Sequence, residues 1–393
     1  MNDEPRLAER MSRLGTESAF EVLARARALE AEGRKVVHLE IGEPDFDTPQ
    51  HIRDAAAEAL QQGYTHYVPA PGLPDVREAI GQFFARTGRP AYGADRVIVT
   101  PGAKPIMFFT IMALCDERDE VLYPDPGFPM YESISKFAGC RAIPVPLRES
   151  HGFRMDPNEV ASLVTDRTRL LVLNSPHNPC GSTLTQEDVE ALAALALEHD
   201  LYVLSDEVYW ATQYEGLHAS IATLDGMRDR TILLDGCSKT FAMTGWRLGF
   251  AALPPELIEP VTRLVINSVS CTSAFSQRAI LAAVTGPWEP VEAMTEEFRK
   301  RRSVIVDGLN RIDGITCQLP GGAFYVFPNV SALGASSHEV ADFMLNRAGV
   351  ACLSGTAFGA QGEGYLRFSY ANSVETIREA LDSIEAALPE LKA

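Results

Sequence analysis

Short apolar runs alternate with helical patterns through the middle of the chain, from about Thr100 to Leu253. The runs VIVT (97–100), EVLYP (120–124), RAIPVPL (141–147), RLLVLN (169–174), LYVLSDE (201–207), TILLDG (231–236) and LGFAAL (248–253) have the length of strands. Several are almost wholly apolar, as strands covered on both faces must be. Helical stretches such as TQEDVEALAALALEHD lie between them. There Thr185 is placed to cap the N-terminus, and Asp188 answers from the first turn. This alternation predicts an α/β fold: a mostly parallel sheet with helices on both faces.

The flanks break the pattern. Residues 16–32 predict an amphipathic helix that ends at Gly33. After about residue 287 come two long charged helices and a hairpin-like GITCQLPGGAFYVF. The expectation is a large domain over 48–286 and a small α+β domain assembled from both chain ends, 1–47 and 287–393. A cleft between two such bodies is where ligands usually bind.

Composition narrows the function classes. With 393 residues and 46% hydrophobic content, the chain can bury a large core. Its net charge of −18 repels nucleic acid and anionic membranes. The N-terminal MNDEPRLAERM has no apolar core and does not read as a signal peptide, and no run approaches the roughly 20 apolar residues of a membrane span. Seven scattered cysteines without a CxxC pair favour a reducing cytoplasm and argue against a metal site or a disulfide framework. Among them Cys237 reads as a small packing residue.

In open α/β sheets, ligands sit beyond the carboxyl ends of the strands. Five strand ends carry candidate chemistry. After VIVT come Gly102, Ala103 and Lys104, small residues at a helix start whose amides suit a phosphate. After EVLYP comes Phe128. After RLLVLN, SPHNPCG holds Asn178 between two prolines, a place where Asn commonly bonds its own turn. His177 beside it is more readily a packed turn residue than a direct participant. After LYVL, SDEVYW offers Asp206 and Tyr209, and a carboxylate buried there needs a partner. After TILL, GCSKTFAMTGWRLGF places Lys239 among small and apolar residues, with Arg247 eight positions on. A lysine so placed either closes a solvated turn or loses its proton and acts as a nucleophile or base. A phosphate cradle, a ring, an amide, a carboxylate with a phenol, and a lysine with an arginine together suit one ligand class: a phosphorylated aromatic aldehyde that forms an imine with lysine.

On these stretches the sequence resembles the class I aminotransferases, pyridoxal-phosphate enzymes of fold type I. The resemblance runs from ARALEAEGRKVVHLEIGEPDFDTP through YVPAPGLPDVREAI, GAKPIM, NSPHNPCG, SDEVYW and SKTFAMTGWRLGF to YLRFSYA. It implies that Lys239 is the imine-forming lysine. Arg247, Ser238 and the Gly102–Ala103–Lys104 backbone take the phosphate, and Phe128 stacks on the ring. Asp206 pairs with the pyridinium nitrogen, while Asn178 and Tyr209 bond the phenolic oxygen. Arg367 grips the substrate α-carboxylate with help from Asn178 and the Gly42 backbone. Tyr67 reaches the phosphate of the neighbouring subunit's cofactor, which implies a homodimer. Gly236 stands where many relatives have a hydroxyl, so one phosphate contact is either missing or supplied by water; Cys180 stands where Thr is usual.

The implied activity moves the amino group of an L-amino acid to a 2-oxo acid by a ping-pong route. The rival within the fold is a lyase that performs β-elimination, since fold does not fix reaction. A DNA-binding regulator built on this fold is disfavoured by the short N-terminus and the negative charge. A nucleotide loop or nicotinamide site is disfavoured because CSKT lacks the preceding Gly and no GxGxxG follows a strand. For the substrate side chain, ESAF (17–20) resembles the segment that covers the substrate. Phe20 and Phe324 offer apolar surface, and an inward Glu17 repels a second carboxylate. Lys104 argues the other way. The balance favours a neutral donor, with 2-oxoglutarate or pyruvate as acceptor.

Overall fold

The computed structural model describes residues 7–391. Residues 1–6, part of the start read above as lacking an apolar leader, lie outside the described residues, as do 392–393. Among the described residues seven strands form the central sheet: β1 (Val97–Thr100), β2 (Glu120–Asp125), β3 (Arg141–Pro146), β4 (Thr168–Asn174), β5 (Tyr202–Asp206), β6 (Thr231–Gly236) and β7 (Gly249–Ala252). Their order across the sheet is β1-β7-β6-β5-β4-β2-β3. Every strand runs the same way except β7, which is antiparallel to both of its neighbours. All seven expected strands are present, shifted at their ends by a residue or so. The fold is α/β.

Side chains alternate across the strands, so each strand feeds two cores. Ile98, Leu170, Val172, Leu204, Ile232 and Leu234 face helices Lys104–Leu114, Met130–Ala138 and Pro255–Val269. Their neighbours Val97, Val99, Leu233 and Phe250 face the opposite side with Phe83 and Phe84. Leu122, Leu171, Leu173 and Val203 do the same above helix Gln186–Glu198. The one poorly covered strand is β3, which sits at the sheet edge and carries Pro144 and Pro146. Proline has no amide to donate, so the edge is where it is tolerated.

A further core lies apart from the sheet. It joins Val37 and Leu39 near the N-terminus to residues from Met294 to Leu388, and it also takes in Tyr209 and Tyr214. Around it Val37–His38 pairs with Val350–Ala351, and Leu366–Ser369 pairs with Leu353–Ser354 and Tyr325–Val326. Two flank expectations need correction. The hairpin-like GITCQLPGGAFYVF is opened out: Tyr325–Val326 pairs with Leu366–Ser369, and only Thr316 bridges Asn329. The reason is that Gly322 donates to the Gly181 carbonyl and Gly321 accepts from Tyr214, so the turn serves other segments. The N-terminal helix spans Ser18–Ala31 and buries only Ala26, a narrower apolar face than its sequence suggests. No helix among the described residues is long and apolar enough to cross a membrane.

Helix Gln186–Glu198 begins with the expected box. Thr185 accepts from the Asp188 amide, and the Asp188 carboxylate accepts from the Thr185 amide at 2.9 Å. Thr185→Ala is expected to lower stability by about 1 kcal/mol, and Thr185→Ser to retain most of it. Equilibrium urea unfolding of the two variants beside the parent checks this; equal loss in both would mean the hydroxyl is not the cap.

Candidate active site

The parallel strands end on one edge of the sheet, and the loops leaving β1, β2, β4, β5 and β6 open into one cavity of about 580 Å³. Its wall includes Ala103, Lys104, Phe128, Asn178, Asp206, Tyr209, Ser238, Lys239 and Arg247. Gly42 and Arg367 line it from the chain ends. Of the residues expected from sequence to hold the cofactor or the substrate α-carboxylate, two stand outside this wall. Gly102 lies behind Arg247: its φ is +92°, and a β-carbon there would come within 2.2 Å of Arg247 Nη2. Tyr67 is 89% exposed, away from its own chain's cavity.

Lys239 follows β6 in the short helix Cys237–Thr240 and is half-buried. Its Nζ donates to the Gly42 carbonyl and lies 5.9 Å from the Tyr209 ring. Burial lowers its ammonium to about 8; Glu43 opposes this, while Arg367 and Arg247 add to it. Gly42 is held to glycine by Tyr325, whose hydroxyl would lie 2.1 Å from a β-carbon there.

Asp206, the last residue of β5, faces the same side of the sheet as Leu204. Burial raises its carboxyl to about 6, against the stabilising bonds from Tyr131 and the Val208 amide. Tyr131 Oη donates to Asp206 Oδ2 at 2.6 Å. Beside it, Asn174 donates to the Asp206 carbonyl at 3.0 Å and accepts from the Asn178 amide at 2.9 Å. The carboxylate is therefore fixed in place with one side turned to the cavity.

Arg367 enters from the strand Leu366–Ser369 and is buried. Its Nη1 donates to Asn178 Oδ1 at 3.2 Å, and its Nη2 donates to the Glu40 carbonyl. The guanidinium lies over the rings of Tyr325 and Phe358 at 4.6 and 4.9 Å. Its Nε has no partner among the described residues. Tyr209 and Tyr325 share a hydroxyl–hydroxyl bond of 2.7 Å. Burial holds the Tyr209 phenol far above its ordinary range, so it stays a donor at neutral pH.

At the mouth, Glu17 and Lys104 form an ion pair. Glu17 occupies the N-cap position of helix Ser18–Ala31 but makes no cap; its carboxylate is committed to Lys104 instead. Phe20 is 62% exposed at the same mouth. Phe324, expected to offer surface to a side chain, does not line the cavity: it stacks on Phe298 at 5.0 Å in the core behind. In GGAFY it is the neighbouring Tyr325 that faces the cavity, because adjacent strand residues point to opposite sides. His177 is buried in its turn, where its Nδ1 lies 3.4 Å from the Cys180 amide and burial lowers its imidazole to about 3. Gly236 lines the wall without a side chain, and Cys180 is buried with its thiol pushed up by desolvation.

Tyr131, Asn174, Tyr325 and Phe358 were not singled out from sequence. Tyr131 had a usable signal, since it lies one helical turn after Phe128. The other three become site residues only through contacts made across the fold.

The chain belongs to the class I and II aminotransferases: the model of that family matches residues 34–384. Enzymes of this family are transferases that depend on pyridoxal 5'-phosphate, and so is this one. The chain is 39% identical over 390 residues to the aspartate aminotransferase of Musicola paradisiaca, covering 98% of each. It is 42% identical to aromatic-amino-acid aminotransferase 2 of Thermococcus litoralis, over 91% of this chain and 92% of that one. The structure of the Thermus thermophilus aspartate aminotransferase with maleate superposes with a TM-score of 0.94 at 37% identity, over 98% of this chain and all of that one. The donor set here fits the cofactor. In a chain of net charge −18, the cations Lys104, Lys239, Arg247 and Arg367 gather at one cavity that also holds a buried carboxylate.

In cofactor-free protein the Lys239 amine is expected to react with an acylating reagent with a midpoint near pH 8, well below the value of about 10.4 for solvated lysines. Labelling across pH, read by peptide mass spectrometry, checks it. A Lys239 midpoint equal to that of surface lysines would contradict the desolvation argument.

Proposed function

We propose that this aminotransferase moves the amino group of a neutral L-amino acid to a 2-oxo acid by a ping-pong route, with Lys239 as its covalent anchor and proton carrier. The observation that carries the reading is the convergence of Lys239, Asp206 and Arg367 on one cavity. When bound, pyridoxal 5'-phosphate supplies an aldehyde for amine exchange and a ring that accepts the electrons of a breaking Cα–H bond.

The chain's own residues do the rest. Arg247, the Ser238 hydroxyl and the amides of Ala103 and Lys104 at the helix start take the phosphate, with Gly102 leaving room for the Arg247 guanidinium. Asp206 as an anion keeps the ring nitrogen protonated. Asn178 and Tyr209 donate to the phenolic oxygen, and Phe128 covers a ring face. Arg367 binds the substrate α-carboxylate, which orients the Cα–H bond beside the Lys239 amine. That amine would take the Cα proton as general base and then, as general acid, deliver it to the carbon that the cofactor's aldehyde contributes; for the incoming 2-oxo acid it would make the same two transfers in reverse. A proton affinity near 8 suits both roles.

Three finer elements belong to the same reading. The enzyme works as a homodimer in which Tyr67 reaches the partner's phosphate site; the exposure of Tyr67 supports this. Of the expected lobe 1–47 and 287–393, the described residues 7–47 and 287–391 stand together against 48–286, with the cavity between them. The setting is the cytoplasm, which the scattered cysteines favour. For the side chain, the Glu17–Lys104 pair leaves neither charge free, while Phe20, Leu353 and Phe358 supply apolar surface. Relatives carry names for both aspartate and aromatic substrates, so the local charge balance is the more specific guide.

Lys239→Ala is expected to abolish turnover while cofactor still binds, and Asp206→Asn to slow it far more than it loosens the fold. Steady-state rates with cofactor retention check both; multiple turnover by Lys239→Ala at the parent's rate would sink the assignment. Conservation of amino groups, without ammonia release, separates transfer from β-elimination.

Comparison of kcat/KM for aspartate, alanine, leucine and phenylalanine tests the substrate reading. Neutral donors are expected to lead. Glu17→Gln frees Lys104, so aspartate is expected to gain about tenfold, or about 1.4 kcal/mol in transition-state binding. If aspartate already exceeds every neutral donor tenfold in the parent, this account of the pocket is wrong.

A further inference from the structure

Three carboxylates crowd the ends of two adjacent strands. Asp206 ends β5 and faces the cavity side. Glu207, next in the chain, and Asp235 on β6 face the other side of the sheet, toward Phe83 and Phe84. All three are buried. Burying several like charges together is costly unless a cation compensates them.

That cation is Arg89, whose side chain is 1% exposed. Its Nη1 lies 2.8 Å from Asp235 Oδ2 and 3.7 Å from Glu207 Oε2. Its Nε and Nη2 donate to Thr87 Oγ1 at 3.1 and 3.0 Å. The guanidinium lies 4.3 Å from the Trp210 ring and 4.7 Å from the Phe84 ring. The second Asp235 oxygen accepts from the Gly236 amide at 2.7 Å. Glu207 Oε1 accepts from Ser205 and Ser220 at 2.9 and 2.6 Å, and His218 Nε2 lies 2.9 Å from its other oxygen. The Glu207 amide donates to the Leu234 carbonyl, which ties the two strand ends together.

We propose that Arg89 is a positioning residue for the transamination: from the far face of the sheet it holds Glu207 and Asp235, the neighbours of Asp206 and of the Ser238–Lys239 turn, and so keeps Asp206 anionic toward the cofactor. The inference rests on the reading of Asp206 given above. The groups that act on Asp206 are Tyr131 from helix Met130–Ala138, the Val208 amide in the loop after β5, and Asp235 and Glu207 at the strand ends; Asp206 in turn raises the Tyr209 phenol. Tyr131 stabilises the anion, whereas Asp235 and Glu207 oppose it. Without Arg89, Asp235 loses its cation and Glu207 keeps only His218 and its hydroxyl donors, so the pair opposes the Asp206 anion more strongly and Asp206 holds its proton to higher pH. The sign is that of a carboxyl pushed upward: the anion needed for binding is lost on the acid side, and the loss begins at a higher pH.

The test measures the dissociation constant of pyridoxal 5'-phosphate by equilibrium dialysis from pH 5 to 8, with kcat and KM over the same range. The cofactor's own titrations are common to all variants and cancel in the comparison. Arg89→Met is expected to move the acid limb of binding upward by about one pH unit, so that affinity falls about twofold at pH 7 and approaches a tenfold loss at about pH 5. Adding Asp235→Asn to Arg89→Met removes the uncompensated charge and is expected to return the limb toward the parent's. A merely structural arginine would change unfolding midpoints without moving the limb. A folded Arg89→Met with the parent's limb, or a double variant that gives no return, overturns the proposal. Should Arg89→Met not fold, Asp235→Asn alone is expected to move the limb downward, and an unmoved limb is equally fatal. If the parent itself shows no acid limb, the reading of Asp206 fails first, a result distinguishable because no variant is involved.

Discussion

The constraint on which this structure depends is the cost of taking charge out of water. Asp206, Glu207, Asp235, Arg89 and Arg367 are all buried, and each is held by a different arrangement. A lone ionised group inside a protein is worth several kcal/mol of penalty, or it gives up its charge. On the far face of the sheet the charges are largely compensated: Arg89 lies between two carboxylates, His218 stands beside one of them, and hydroxyls and an amide donate to Glu207 Oε1 and Asp235 Oδ1. On the cavity face they are not. Asp206 has a phenol and an amide but, among the described residues, no cation within ion-pair distance, and its carboxyl rises to about 6. Lys239 gives up part of its proton affinity. The imbalance lies where a ligand has to supply the missing charge, which is how perturbed groups come to mark functional sites.

The parallel sheet is the device that makes the imbalance local. Strand ends that point one way deliver residues from five separate stretches of sequence to one edge. This is why so much of the site was legible. The strands announced themselves as apolar runs, and Lys239, Asp206, Asn178 and Phe128 each lie within a few residues of a strand end. Thr185 and Asp188 made their capping box because both partners lie within one helical turn. What was hidden depends on contacts between distant segments. Glu17 reads as a charge that repels a second carboxylate, and Lys104 as one that attracts it, until the fold sets the two, 87 residues apart, beside each other. Phe324 and Tyr325 are adjacent, and only the pairing of their strand with Leu366–Ser369 determines which of them faces the cavity. Arg89 carried no sequence signal, since its partners lie on β6 and beyond β5.

The mouth shows the same logic at lower cost. Glu17 and Lys104 are partly exposed, at 20% and 45% of their side chains, so their pairing is worth little in stability. Its effect is on the field inside the cavity. Glu17 acts on Lys239 and Arg367, favouring the charged form of each. A weak surface pair can therefore set which substrates are welcome, even though removing it leaves the fold intact.

Arg367 completes the argument from charge. It is buried between Tyr325 and Phe358, and among the described residues no carboxylate lies within ion-pair distance of it. Two of its nitrogens are oriented by the Asn178 side chain and the Glu40 carbonyl, both neutral acceptors, and Nε is left without a partner. Desolvation lowers its affinity for its proton, but a guanidinium remains charged at any physiological pH. Neutral acceptors can aim such a group without cancelling its charge. A fixed carboxylate in their place would stabilise the empty pocket and remove the attraction for an anionic ligand. The residue is therefore oriented and left uncompensated, which supports its reading as the site of the substrate α-carboxylate: the ligand supplies the counter-charge that the fold withholds.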